Sequence, residues 1–346
     1  MGKKFDVVIG NPPYQEEAQG DATNQMPIYH LFMDAAYAAG DKAVLITPAR
    51  FLFNAGYTPK AWNAKMLADP HLAVPIYEPN SDHLFPGTDI KGGVAVTYRD
   101  PDKNPGPIGT FTKYPELNVI MHKVQETGSS PLTEIGITND RVYRYTPALH
   151  DEHPELSDLM SAGNHFKLDS RAFTRLASIY FADKPDDGHE YMRVLGLDDK
   201  KKRSFRWIRS AYLTGPVALR KYKVALPKAN GSGSFGEALA SAEVLEPEVG
   251  VTGTFITIGA FDSVDQANAC AKYLYTKFAR ALLGVLKVTQ DNLARVWTYV
   301  PLQDFTEASD IDWSRSIPEI DQQLYAKYGL DDAEIEFIES RVKPMS

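Results

Sequence analysis

The stretch Phe5-Asp6-Val7-Val8-Ile9-Gly10-Asn11-Pro12-Pro13-Tyr14 decides the fold class. Val7, Val8 and Ile9 form the short apolar run of a buried parallel strand, and Gly10 interrupts it where ligands bind in open α/β sheets. The tetrapeptide that follows then sits at the strand's carboxyl end. Each proline fixes its own φ and pushes the residue before it toward extended backbone. Asn11 and the Pro12 carbonyl are thereby held in a rigid, outward-facing arc.

Two oxygen acceptors presented in this way suit a planar amino group whose lone pair is delocalised into a ring. If the Asn11 side-chain oxygen and the Pro12 carbonyl each accept one N–H, they favour a pyramidal nitrogen able to attack a methyl sulfonium in line. The adenine amino group fits, and the reaction needs neither a metal nor a strong base. Tyr14 offers a flat face for a base drawn out of a duplex. The plain alternative is a proline-stiffened turn after a strand, although a full match by accident in this length is on the order of one in a thousand.

On these residues the chain resembles the second half of a gamma-class N6-adenine DNA methyltransferase of the large restriction-modification type. Tyr29-His30-Leu31-Phe32 with Ala43 through Leu52 resembles the helix and strand after that family's catalytic loop. Pro79-Asn80-Ser81-Asp82-His83-Leu84-Phe85-Pro86-Gly87 with Lys91-Gly92-Gly93-Val94-Ala95-Val96 resembles its closing hairpin. The resemblance implies Asn11, Pro12, Pro13 and Tyr14 as catalytic residues and Phe85 as a second aromatic against the flipped adenine. Lys223 to Lys228, Gly259 to Phe261, Thr276 to Arg280 and Trp297 to Phe305 resemble its target-recognition region. S-adenosylmethionine and double-stranded DNA are the implied methyl donor and partner.

One departure from the family shapes the expectation. The family's glycine-rich cofactor loop lies upstream of Asn-Pro-Pro-Tyr, and here four residues precede Phe5. A partner chain supplying the cofactor half, or a fragment, is the expected explanation. A permuted order is the competing one, with Gly231, Gly233 and Gly236 of Gly231-Ser232-Gly233-Ser234-Phe235-Gly236 as candidate cofactor-binding glycines after the strand-like Tyr222 to Leu226. Pro227 and Lys228 intervene, no strand with a terminal acidic residue follows, and a mobile glycine-serine loop is the plain reading.

The chain has 346 residues and a net charge of −8, enough for one sizeable core and room for two. Between Lys200 and Lys228 lie ten Lys or Arg and no Asp or Glu, leaving 27 basic against 45 acidic residues elsewhere, a net of −18. Such a block can neutralise phosphates. Its heart interleaves Lys200, Lys201, Lys202, Arg203, Arg206 and Arg209 with Phe205 and Trp207, a mixture suited to backbone contact plus stacking. Those cations and Trp207 are the candidate DNA-binding residues; a solvated basic face is the alternative.

A lone Cys270 excludes an internal disulfide and a cysteine-rich zinc site. The eight histidines show no metal-ligand spacing, so no metal is expected. Pro185-Asp186 with Asp198-Asp199-Lys200 loosely fits a magnesium nuclease motif, though short acidic motifs in loops are common. No signal peptide or long apolar span is present, and a cytoplasmic location without membrane contact is expected.

The pattern predicts an α/β fold: a partial Rossmann-like methyltransferase sheet over 1–104, then an α/β target-recognition domain over 105–346. Expected elements are strands at 5–9, 43–48, 72–77 and 93–98 with helices near 27–39 and 59–68. Asp100 to Pro107 is a turn-rich connector. Beyond it, 114–124 and 154–162 look helical, with strands at 191–197, 222–226 and 255–258. One long helix over 264–287 starts at a Ser263/Gln266 capping box, and two more run near 318–328 and 332–342, with Gly329 as a stop.

Three functions fit: the catalytic-loop and specificity part of an adenine-specific DNA methyltransferase of a restriction system, a DNA-recognition module without activity of its own, or a methyltransferase for a protein glutamine or RNA. The last class carries its own glycine loop ahead of the motif in a compact chain, whereas some 240 residues follow the catalytic half here.

Overall fold

The structure, a computed structural model, describes residues 5–16, 26–55, 57–90 and 92–345. Lys91 of the hairpin resemblance lies outside the described residues. The fold is mixed α/β, in two compact units, Met1–Asn118 and Val119–Ser346.

In the first unit, β1 (Phe5–Gly10), β2 (Gly40–Pro48), β3 (Leu72–Glu78) and β4 (Val94–Arg99) form one sheet in the order β1-β2-β4-β3. β1 and β2 are parallel, with α1 (Tyr29–Ala39) in the crossover, and β4 runs antiparallel to both β2 and β3. The carboxyl ends of β1, β2 and β3 therefore open at the same end of the sheet. α2 (Lys60–Leu67) joins α1 on one face. There Tyr29, Met33, Leu45, Phe51, Trp62, Met66 and Leu72 make the core.

The other face is poorly covered. Strand alternation puts Phe5, Val7 and Ile9 on the side opposite Val8, and they are 58%, 46% and 77% exposed. β1 pairs with β2 alone among the described residues, so its other edge is open. Gly40 does end α1, with its N–H donating to the Ala36 carbonyl, but its φ of −122° is extended and not left-handed. Close approach requires it: a Cβ there would meet Val8 Cγ2 at 2.7 Å.

The second unit contains α3 (Pro115–Glu126, beginning at the end of the first), β5 (Arg144–Tyr145), α4 (Pro147–Glu152) and α5 (Ala172–Arg175). They precede the hairpin of β6 (Tyr191–Leu197) and β7 (Arg203–Arg209), then β8 (Leu213–Thr214), β9 (Tyr222–Pro227), β10 (Glu243–Leu245), β11 (Val249–Val251) and β12 (Phe255–Phe261). Its sheets run β11-β6-β7, β10-β9-β12 and β5-β8. Met192, Val194, Leu195, Ile208 and Phe255 lie in one core with Tyr145, Phe173 and Tyr180.

The single helix expected over 264–287 is two, α6 (Val264–Tyr275) and α7 (Lys277–Leu283). Thr276 separates them because its extended ψ breaks the first helix while its hydroxyl caps the Ala279 N–H of the second. Ser263 caps Gln266 N–H as expected, but the Gln266 carboxamide reaches back to Asp262 N–H. Residues 154–159 wind as a 3-10 turn, and the helix of that region is α4. α8 (Ile317–Lys327) and α9 (Asp332–Arg341) close the unit, each behind a capping box, with Gly329 left-handed at φ +61°.

Candidate active site and nucleic-acid interface

The loop after β1 begins at Asn11, which is exposed, and its side chain makes no hydrogen bond among the described residues. The half-buried Pro12 carbonyl is equally unengaged there. The tetrapeptide is anchored behind these acceptors: the Tyr14 carbonyl accepts the Ile28 N–H at 3.2 Å, and the Glu16 N–H donates to the Met26 carbonyl at 3.0 Å. Tyr14 packs half-buried against the first unit's core, and burial raises the pKa of its hydroxyl. That hydroxyl is shielded from solvent and has no partner among the described residues.

Two further segments reach the same end of the sheet. After β2, Ala49–Phe53 wind as a 3-10 turn, with Phe51 against Trp62 and Tyr29. The Tyr29 hydroxyl bonds Thr58 at 2.8 Å. Between β3 and β4, the Ser81 hydroxyl donates to the Thr88 carbonyl and accepts the Ile90 N–H, tying that loop to itself. Phe85 lies half-buried on it, its N–H donating to the Ser81 carbonyl at 2.8 Å. His83 is occupied by Glu78 and Asn80, and His30 packs edge-on against Trp62 and Tyr29.

The glycine pattern is arranged differently. Glu237 takes the N–H groups of Ser232 and Gly233 at 2.8 and 2.9 Å and also accepts from the Ser232 hydroxyl. Its carboxylate is held ionised by these amides and by buried Lys287, which lies 3.4 Å away and also donates to the Asn230 and Thr289 carbonyls. Gly233 lies against the Val288 and Thr289 backbone and Gly236 against that of Arg341. The next regular element is β10, so the loop opens no helix of the kind a dinucleotide fingerprint requires. Gly231, Gly233 and Gly236 are accounted for by this internal turn.

The heart of the basic block, Arg203–Arg209, is a strand, which its charge concealed. Alternation along β7 puts Arg203, Phe205, Trp207 and Arg209 on one face and Arg206 on the other. Arg209 is bound to Glu152, Tyr212 and His189, and Arg203 to the Ser241 carbonyl and Glu243. Lys221 pairs with Asp262, Lys228 with Asp140, and Lys223 is buried among carbonyls. Five of the ten cations therefore remain without such partners among the described residues, chiefly Lys200, Lys201, Lys202 and Arg206.

The three lysines ride the turn between β6 and β7. Asp198 builds that turn by accepting the Lys200 and Lys202 N–H groups, with Lys201 left-handed at φ +58°. This is also the place of Asp198 from the nuclease-like pattern; no cluster of three potential metal ligands exists among the described residues.

Sequence reading missed two neighbours of the block. The Arg193 guanidinium lies 5.3 Å from the Phe205 ring centre and 5.9 Å from that of Trp207, and Lys184 lies 5.9 Å from Trp207. Recognising β6 and β7 as a hairpin would have paired Arg193 with Trp207 directly. Among the described residues no helix is long and apolar enough to cross a membrane.

Residues 1–85 match the family described as Eco57I restriction-modification methylase. No curated protein matches. Among solved structures, the type IIG restriction endonuclease BpuSI matches at 10% identity and a TM-score of 0.32, over 97% of this chain and 52% of that one. The chain thus spans about half the length of that enzyme.

Proposed function

We propose that this chain is the catalytic-loop and DNA-reading part of a site-specific adenine N6-methyltransferase of a restriction-modification system. The carrying observation is the pair of unengaged acceptors, the Asn11 side chain and the Pro12 carbonyl, at the carboxyl end of a parallel strand. The family match over residues 1–85 supports the restriction-modification setting. Asn11 and Pro12 accept the two amino hydrogens of an extruded adenine, Tyr14 and Phe85 flank its ring, and the β6–β7 hairpin with Lys200, Lys201, Lys202, Arg206 and Trp207 meets DNA. Residues 1–104 serve as the catalytic part and 105–346 as the recognition part.

S-adenosylmethionine supplies an electrophilic methyl group in such a reaction. The glycine loop, filled by Glu237, does not support a site for it among the described residues. We assign that site to a separate cofactor-binding half, in another chain or another part of the protein, which pairs with the open edge of β1 and covers Phe5, Val7 and Ile9. A DNA-recognition module without activity is the second reading, favoured by the same filled loop.

Calorimetric titration of the purified chain with S-adenosylmethionine, alone and with duplex DNA, tests the division. No binding is expected. Coexpression with a cofactor-binding half in a host free of DNA methylation should then place N6-methyladenine in its DNA, read by mass spectrometry of the nucleosides. Tight binding by the chain alone overturns the division, and a methylated product other than adenine overturns the function.

A further inference from the structure

Buried polar side-chain atoms almost always have partners, yet at one end of the first unit's sheet Tyr14 Oη, His30 Nδ1, Thr47 Oγ1 and Arg50 Nε have none among the described residues. They belong to contiguous pieces of chain. Tyr14 is tied to Ile28, which directly precedes Tyr29 and His30, and the Tyr29 ring meets Phe51 beside Arg50. Thr47 sits on β2 just before the turn that carries Arg50.

Arg50 is the telling member. A guanidinium nitrogen withdrawn from water is ordinarily hydrogen-bonded, because a buried donor without a partner is costly, and Arg50 Nε has none among the described residues. The half-buried Arg50 side chain has no hydrogen bond or ion pair among the described residues. Its stem is sheltered by Gly92: a Cβ there would lie 3.2 Å from Arg50 Cγ, and Gly92 is left-handed at φ +87°. The loop between β3 and β4 can lie along Arg50 without a side chain in between.

We propose that Arg50 receives a backbone phosphate of the nucleotide presented to Asn11, a role resting on the DNA-methyltransferase reading above. β1 and β2 are parallel neighbours, Gly10 pairs with Leu45, and β2 runs three residues further before the turn that carries Arg50, so Asn11 and Arg50 both follow carboxyl ends at the same end of the sheet. An extruded nucleotide brings its own phosphates to this end of the sheet. The fork of donors on Arg50 matches two phosphate oxygens and leaves the base to Asn11 and Tyr14.

The test uses fluorescence anisotropy with two short duplexes of one sequence, fully paired or with one adenine opposite an abasic site, across a range of KCl. Wild type should prefer the unpaired adenine, and Arg50→Gln should lose roughly tenfold to hundredfold in affinity for that probe. Its log–log salt slope should fall by about 0.9, while the thermal midpoint stays put because no internal bond is removed. Arg50→Lys should restore the slope in part. Unchanged affinity and slope in Arg50→Gln, with the preference for unpaired adenine kept, overturns the proposal and leaves the DNA reading standing. An effect of the substitution on S-adenosylmethionine use alone, in the assembled enzyme, also overturns it. Failure of the wild type to bind either duplex overturns the DNA reading, and the proposal with it.

Discussion

The Asn11–Tyr14 loop and the Gly231–Gly236 loop both carry sequence patterns associated with ligands, and their chemistry is opposite. At the first, the Asn11 side chain and the Pro12 carbonyl are unengaged and several buried polar atoms nearby lack partners among the described residues. At the second, the Ser232 and Gly233 amides grip Glu237, and Lys287 completes the charge balance. A pattern states what backbone a loop can adopt. Whether its polar groups are already spent decides whether anything else can bind.

The largest effect should come from the open loop. Asn11→Ala removes one of two acceptors that act on the amine as it becomes pyramidal, so methyl transfer should fall by roughly 10²- to 10³-fold. DNA affinity should hold within about twofold, since base contacts of a single side chain add little to a phosphate-dominated complex. The two readouts are methyl transfer in the enzyme assembled with its cofactor half and anisotropy on duplex DNA. Parallel loss of both would make Asn11 a binding residue and erase the contrast between the loops.

The filled loop should answer through stability. Glu237→Gln leaves the Lys287 ammonium, nearly out of solvent, facing carbonyls without its carboxylate. A loss of about 3 kcal/mol is expected from breaking such a pair, measured by urea unfolding followed through tryptophan fluorescence. A variant as stable as the parent would mean that Glu237 is a loosely held plug, and the loop would return as a ligand site.

These contrasts were only partly legible in the sequence. β1 through β4 with α1 and α2 could be read because apolar runs and helical periods alternate cleanly there, and the proline arc after Gly10 announced itself. β7 could not, because Arg203, Arg206 and Arg209 made a strand look like a charge cluster, and alternation is visible only once Ile208 is known to face the core. The division of 264–287 at Thr276 depends on α8 too: Asp321 accepts the Lys277 and Phe278 N–H groups that start α7. Arg50 carries no signal in the sequence, since lacking a partner is a property of three-dimensional surroundings.

The smallest effect concerns a second buried lysine, which separates satisfaction by charge from satisfaction by dipoles. Lys223 on β9 is fully buried, and its ammonium donates to the Glu246, Lys221 and Leu219 carbonyls at 2.8, 3.1 and 3.3 Å. Unlike Lys287 it has no ion pair among the described residues, and burial lowers its pKa from 10.5 to about 8. Between those values the unfolded chain holds a proton that the folded chain has released, so raising the pH favours folding. Lys223 should therefore add stability as pH climbs from about 8 toward 10.5, by an amount on the order of 2 kcal/mol. Lys223→Met should flatten that rise in urea unfolding measured across this window, while Glu237→Gln should leave it in place. An unflattened Lys223→Met profile would mean that three carbonyls hold the ammonium as well as Glu237 holds Lys287.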